Sequence, residues 1–526
     1  MKKVFVSVLL SIVVAHPAGA ATCDTLRALK LANVVIRAAE IVGAGEFVVP
    51  DASQYLPPGV TRPPTATSRT LPAFCRVQGT TRPSNDSNIE FEVWLPMSAW
   101  NGRYLGVGVG GAGGRISYEV DLNTPGLVEA LRDGFATSAT DTGHQGRADD
   151  YSFGRGHPEQ RIDYYYRAIH ETAVTAKAVI RAFYGTSPKY SYFWGNSNGG
   201  NQALMEVQRY PTDYDGVLAT SPDVDRADTY TAWAWIAQAF AADGSQILQN
   251  MLPTIQAAVI RTCDAVDGLK DGIISDPMNC RFDPDVLLCR DSDVNGCLTR
   301  PQVVALKKYY DGPRNSKGEH IASSFPPGAE ACVDLSMTCP GSAARRASNP
   351  IDGLLDGRWN IQTFNFDRDA QALAQDPDLK LGSPTNPNLK QFMDRGGKLI
   401  IEHGWSDGTA LPIRTVKYFD SVVSTMGQKA VDSFLRLYMV PGMAHSGAPG
   451  LPDVPVGPTR NRFRALQRWV EAGQAPGSIL AIRYKVDGNP ASGVARTRPL
   501  CPYPEIAVYK GSGSVDDGKN FSCKVR

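Results

Sequence analysis

The sequence lacks any excess of basic residues. With Lys2 and Lys3 set aside, 52 of its 54 lysines and arginines face 53 acidic residues, a net charge of −1. No polybasic run occurs either, which speaks against nucleic acid and against an anionic membrane surface as partners. No apolar run is long enough to cross a bilayer. Ten cysteines are present, yet none stands in a C-x-x-C spacing. That even count argues for disulfides rather than metal thiolates or redox chemistry. The pairing is open from sequence, although joining neighbours would close five modest loops. No internal repeat is found.

What is present begins with a leader. Lys2 and Lys3 precede the apolar run Val4–Ala15, and Ala18-Gly19-Ala20 fits a cleavage site. Cys23 lies near the cut, but Ala20-Ala21-Thr22 is a poor lipoprotein signal. Residues 1–20 therefore read as a signal peptide, and the mature protein as secreted or periplasmic. About 506 residues remain, more than one core usually holds.

The stretch with the strongest chemical content is Tyr190–Gln208. Tyr190, Tyr192, Phe193 and Trp194 suit a buried strand, and Asn201–Gln208 suits a helix. Between them stands Gly195-Asn196-Ser197-Asn198-Gly199. G-x-S-x-G between a strand and a helix is the setting of a nucleophile elbow, whose serine is exposed on a turn too tight for neighbouring Cβ atoms. Without that setting, the same pentapeptide would read as a surface turn.

The surrounding chain alternates strands and helices, as in a parallel α/β sheet. A Pro-rich linker runs through Pro57, Pro58, Pro63 and Pro64. Strands are expected at Arg76–Gln78, Ile89–Leu95, Arg103–Val109, Gly134–Thr140, Tyr214–Ala219, Gly397–His403 and Phe434–Val440. Helices are expected at Tyr165–Tyr184, stopped by Gly185, and at Arg460–Ala472. From about Asp223 to Gly396 the alternation is lost, while six cysteines and Trp233, Trp235 and Trp359 gather there. This segment reads as an inserted lid, dividing the chain into core (21–222), lid (223–396) and core (397–526). After Pro499 a coil pinned by Cys501 and Cys523 is expected.

Gly106, Gly108 and Gly111 formally match a dinucleotide fingerprint, but Arg115–Leu122 offers no helical pattern to follow them. The glycine run better suits a loop whose N–H groups face an oxyanion. Gly111, with Gly110 beside it, is one candidate donor, and Asn198 is the other. Late in the chain, one buried strand leads into Gly404-Trp405-Ser406-Asp407, and the next into Pro441-Gly442-Met443-Ala444-His445. The order Ser197, Asp407, His445 is that of α/β-hydrolase triads. Alone, Asp407 would read as a turn residue and His445 as structural. His403 and His144 are rival histidines, the latter better suited to ordering its loop or bordering the pocket.

Within the lid, Cys263–Cys280 brackets Asp264, Asp267, Asp271 and Asp276 among glycines. Carboxylates at such spacing, with the carbonyls of Leu269 and Ile273, suit a loop around a hard cation such as calcium. The spacing is not that of an EF-hand, and a disulfide-held Asp/Gly turn is the plain alternative.

Six ordered motifs resemble the tannase and feruloyl esterase family, which includes a hydrolase of the mono-ester released from PET plastic. They are Trp100-Asn101-Gly102-Arg103 with the glycine loop, Ser138–His144, Gly195–Gly200, Cys263–Gly272, His403–Asp407 and Pro441–His445. The resemblance covers most of the mature chain. It implies an α/β-hydrolase core with a lid that binds an aromatic acyl group. It also implies a structural calcium on Asp264, Asp267, Leu269, Asp271 and Ile273. One departure stands out. The family's cysteine pair beside the catalytic serine and histidine is replaced by Asn196 and Ser446, which opens the question of substrate.

The expectation is a secreted serine esterase acting on a small-molecule aromatic ester, with Trp233 and Trp235 available to stack on its ring. An acyltransferase, or an esterase of non-phenolic esters, would use the same triad. A non-catalytic binding protein on this scaffold would normally have lost a triad residue, and this chain keeps all three.

Overall fold

The computed structural model describes residues 21–51, 70–120, 124–290, 296–330, 354–357, 359–445, 447, 449–457 and 459–525. The leader, the Pro-rich linker, Cys332, Cys339 and Ser446 lie outside the described residues.

Among the described residues, nine strands form one mixed sheet: β1 (Val34–Val42), β2 (Phe74–Thr81), β3 (Ile89–Pro96), β4 (Arg103–Val107), β5 (Ala136–Thr140), β6 (Tyr190–Asn196), β7 (Gly216–Thr220), β8 (Lys398–Gly404) and β9 (Leu435–Val440). Their order is β1-β2-β3-β5-β4-β6-β7-β8-β9. The first three and β5 pair antiparallel, and every pair from β5 across to β9 is parallel. Strands in the parallel part are buried nearly throughout, as expected where helices cover both faces.

Period-two alternation divides β6 between two cores. Tyr192 and Trp194 face one side, with ring centroids 5.6 and 5.0 Å from that of Phe463 on helix Arg460–Ala472. Phe193 faces the other and meets Tyr214 at 5.3 Å. The helices on the N-terminal half are α1 (Leu127–Arg132), α2 (Pro158–Ile162), α3 (Ala168–Tyr184) and α4 (Asn198–Arg209). Gly185 ends α3 in the left-handed conformation, with φ +72°.

Between β7 and β8 the described residues add no strand to the sheet. They include α5 (Arg226–Ala241), α6 (Leu252–Cys263) and α7 (Arg300–Asp311). Tyr230, Leu355, Phe364, Leu373 and Leu379 make a small core of their own there.

Some expectations need correction. Strand β1 was not foreseen, and neither was α1. The helix expected from Tyr165 is preceded by a π-helical turn, Asp163–Arg167, and becomes α-helical only at Ala168. The segment after Pro499 is no coil. Glu505–Tyr509 and Phe521–Val525 pair as an antiparallel hairpin, across which Cys501 joins Cys523. Among the described residues Cys23–Cys75, Cys263–Cys280 and Cys289–Cys297 are also bonded, so neighbours pair in all four. No described helix is long and apolar enough to cross a membrane.

Candidate active site

Ser197 sits between the end of β6 and the start of α4 with φ +60° and ψ −122°. A non-glycine residue holds such a conformation only where its surroundings fix it. Here they do. Ser197 N–H donates to the Thr220 carbonyl of β7 at 3.0 Å. A Cβ on Gly195 would overlap the Gly199 carbonyl, so the turn closes only with glycine there. Gly108 lies against the same two glycines, which brings the loop after β4 alongside the elbow.

His445 Nε2 stands 2.8 Å from Ser197 Oγ, and its Nδ1 stands 2.7 Å from Asp407 Oδ2. The tautomer follows from the partners: Nδ1–H donates to the carboxylate, and Nε2 accepts from the serine hydroxyl. Asp407 is fully buried, and Thr409 N–H (2.7 Å) and Ala410 N–H (2.9 Å) donate to its Oδ1. Burial alone would raise its pKa. The charge and hydrogen bonds of His445 and His403 outweigh that and hold the carboxyl below its usual range. Asp407 therefore stays ionised opposite His445. An imidazole so placed can take a proton from Oγ and return it.

His403, one of the two rival histidines, lies behind this line. Its Nε2 donates to Asp407 Oδ2 at 3.1 Å, and its Nδ1 accepts from Thr415 Oγ1 at 2.8 Å. It touches the carboxylate and not the serine. The second rival, His144, is buried with its ring stacked on Phe153 at 3.5 Å. Burial pushes its pKa down to about 4, so it is neutral near pH 7.

Gly111 has φ +61°, and a Cβ on it would strike the Ala148 carbonyl. Its own carbonyl accepts from Tyr164 Oη at 3.0 Å. Among the described residues the N–H groups of Gly110, Gly111 and Asn198 make no hydrogen bond, so they remain available to a ligand oxygen. Asn198 Nδ2 reaches the Val109 carbonyl at 3.4 Å, which links the elbow to the glycine loop. After Gly111 the next helix is α1, too far along the chain to complete a dinucleotide fingerprint.

The two tryptophans separate. They stand two residues apart on α5 and so point to different sides. Trp233 Nε1 donates to the Thr409 carbonyl at 2.9 Å, beside the Asp407 loop. Trp235 Nε1 donates to the Lys308 carbonyl on α7, and its ring meets Phe366 edge-on. The structure does not bring Trp235 together with the other candidate residues.

In the acidic loop, Asp264 Oδ1 accepts from the N–H groups of Asp271 and Gly272 (3.1 and 3.0 Å). Asp267 Oδ1 accepts from Leu269, and Asp271 Oδ1 from Ile273. Asp271 Oδ2 pairs with Arg498. Asp276 turns to Asn279. Burial raises the pKa of Asp267 and of Asp271. Hard oxygen donors on one disulfide-closed loop fit calcium chemically. Among the described residues, however, no three acidic, histidine or cysteine side chains are gathered around a point.

Arg226 was missed in the sequence, because its contacts are with segments far along the chain. It is almost fully buried, and its Nη2 donates to Asn198 Oδ1 at 2.8 Å.

The family model for tannase and feruloyl esterase matches residues 75–524. An uncharacterised esterase of Xanthomonas campestris pv. campestris is 37% identical, over 96% of this chain and 91% of that protein. The mono(2-hydroxyethyl) terephthalate hydrolase of Piscinibacter sakaiensis is 32% identical, over 91% of this chain and 90% of its own. The crystal structure of feruloyl esterase B from Aspergillus oryzae superposes with a TM-score of 0.82 at 28% identity, covering 95% of this chain and 99% of that one. The chain belongs to the tannase and feruloyl esterase family and is a carboxylic ester hydrolase.

Proposed function

We propose that the protein is an exported serine esterase that cleaves small esters of aromatic acids through an acyl-enzyme on Ser197. The observation carrying this reading is the unbroken hydrogen-bond line from Ser197 Oγ through His445 to buried Asp407. Ser197 Oγ attacks the ester carbonyl as its proton passes to His445 Nε2, and the carbonyl electron pair moves onto oxygen. The N–H groups of Asn198 and Gly111 receive that oxyanion. Its collapse breaks the bond to the alkoxy oxygen, and the alcohol leaves with the proton from His445. Water then attacks the acyl carbon, gives its proton to His445, and the acid departs as Ser197 Oγ regains its hydrogen. Asp407 holds His445 in the required tautomer and stabilises the imidazolium.

The aromatic acyl group is supported by relatives named for feruloyl and terephthalate esters and by Trp233 beside the Asp407 loop. Export is supported by four disulfides among the described residues, which persist in oxidising compartments. The test is hydrolysis of methyl ferulate, methyl gallate and a terephthalate mono-ester. Turnover of at least one is expected. Cleavage of a short p-nitrophenyl ester alone would leave the serine chemistry and remove the aromatic assignment.

Calcium is part of the same proposal. Asp264, Asp267 and Asp271 would hold it through carboxylate oxygens, and Leu269 and Ile273 through carbonyls. The ion would neutralise a half-buried acidic loop and take no part in ester cleavage. A ligand at about 100 times its Kd stabilises a fold by about 2.7 kcal/mol. Chelation with EGTA is accordingly expected to lower Tm by several degrees, with calcium restoring it. The same Tm in EGTA and in calcium would remove the ion from the proposal.

A further inference from the structure

The two proposed oxyanion donors ride on different segments, Asn198 on α4 and Gly111 on the loop after β4. Their spacing is thus a tertiary matter, and one buried cation touches the supports of both. Arg226 Nη2 donates to the Asn198 side-chain oxygen at 2.8 Å, and its Nε donates to the Gly382 carbonyl at 3.0 Å. Its Nη1 reaches Tyr230 Oη at 3.3 Å, and Asp223 lies 3.9 Å away as counter-charge. The guanidinium carbon stands 5.3 Å from the ring centroid of Tyr164 and 5.2 Å from that of Tyr165. Both rings come from the π-helical turn Asp163–Arg167, a feature that often marks a functional position.

From Tyr164 the bracket continues to the glycine loop. Its hydroxyl donates to the Gly111 carbonyl at 3.0 Å, while Ala112 N–H donates to the Ala148 carbonyl at 2.8 Å. The peptide between Gly111 and Ala112 is held at both ends, which fixes the plane next to the proposed donor. Asn198 closes the circuit, because with Oδ1 engaged by Arg226 its Nδ2 is turned to the Val109 carbonyl. We infer that Arg226, the Asn198 side chain and Tyr164 form a positioning bracket that sets the distance between the two oxyanion donors.

The inference rests on the Ser197 esterase reading and deepens it. None of the three side chains is assigned contact with the reacting atoms. Oxyanion donors act only at the geometry of the tetrahedral state, so loosening them costs kcat rather than ground-state binding. A bracket that merely stabilised the fold would give no such selectivity.

The test compares Tyr164→Phe and Asn198→Ala with wild type and with Ser197→Ala, on one ester that the wild type turns over. Tyr164→Phe keeps the ring against Arg226 and removes one hydroxyl. It is expected to lose about tenfold in kcat with KM within about threefold and Tm unchanged. Asn198→Ala removes the cross-link itself and is expected to lose about 100-fold, toward the cost of losing one oxyanion donor outright. The Ki of phenylboronic acid, whose tetrahedral adduct occupies the oxyanion site, should rise in proportion to the fall in kcat/KM. Wild-type kcat in Tyr164→Phe, or a loss confined to KM with Ki unchanged, would overturn the bracket while leaving the esterase reading intact. If Asn198→Ala does not fold, Tyr164→Phe decides alone. Activity that survives Ser197→Ala would instead overturn the reading beneath it.

Discussion

Ser197→Ala is expected to lower kcat on any turned-over ester by about 10⁴–10⁶, leaving KM within a few fold. The substitution changes little else. The elbow is closed by backbone: Ser197 N–H on the Thr220 carbonyl, and Gly195 packed against the Gly199 carbonyl. Alanine keeps all of this, including the φ of +60°. What disappears is Oγ, which His445 Nε2 faces at 2.8 Å. His445 then has no nucleophile to deprotonate other than water, and the oxyanion donors remain. Residual turnover should therefore be small and should not burst. Tm should match wild type, which separates lost chemistry from lost fold. Initial rates with the variant retaining more than a few per cent of wild-type kcat would remove Ser197 from the reaction.

Much of this site was legible before the fold was known, for a reason particular to it. Each triad member follows a buried strand whose residues carry a strong signal: Tyr190–Trp194, the apolar run of β8, and the apolar run of β9. Gly195 records a steric demand that is local to five residues, since a Cβ there would overlap the Gly199 carbonyl. The acidic loop between Cys263 and Cys280 is likewise contiguous, so its carboxylates can be named from sequence alone, although no three of them gather around a point among the described residues.

What was not legible depends on long-range contacts. Arg226 stands at the start of the segment that reads as a lid, where nothing in the neighbouring sequence sets it apart. Its bonds to Asn198 and Gly382 span 28 and 156 residues. His403 looked like a rival base because it lies near Asp407, and only the fold shows its two nitrogens spent on Asp407 and Thr415. Strand β1 escaped notice because it is a sheet edge. Val35 and Ile41 are exposed there, so the apolar pattern does not report a buried face. The hairpin after Pro499 reads as coil in the sequence because the polar, Gly-rich stretch 510–520 masks the short strand on each side of it.

Asp407→Asn tests the other end of the line, and its effect should be large for a reason this geometry supplies. Four donors converge on the carboxylate: His445 Nδ1–H and His403 Nε2–H on Oδ2, and the N–H groups of Thr409 and Ala410 on Oδ1. Asparagine offers one acceptor oxygen and one NH₂. If the NH₂ faces the loop, two buried backbone donors meet a donor and the turn after Asp407 is destabilised, at roughly 1–3 kcal/mol for each group left unpaired. If it faces the histidines, His445 must accept at Nδ1 and carry its proton on Nε2. Nε2–H then donates toward Ser197 Oγ and can no longer take its proton. That tautomer is the unproductive one, and the imidazolium formed during attack would also lose its neighbouring charge. The backbone donors favour keeping the asparagine oxygen, so the second arrangement should dominate. The expected outcome is a fall in kcat of about 10⁴ with KM little changed and Ser197 still in place. Steady-state rates near pH 7 check it. A loss below tenfold would mean that His445 is oriented by something other than Asp407, and the role assigned to the carboxylate would have to be withdrawn.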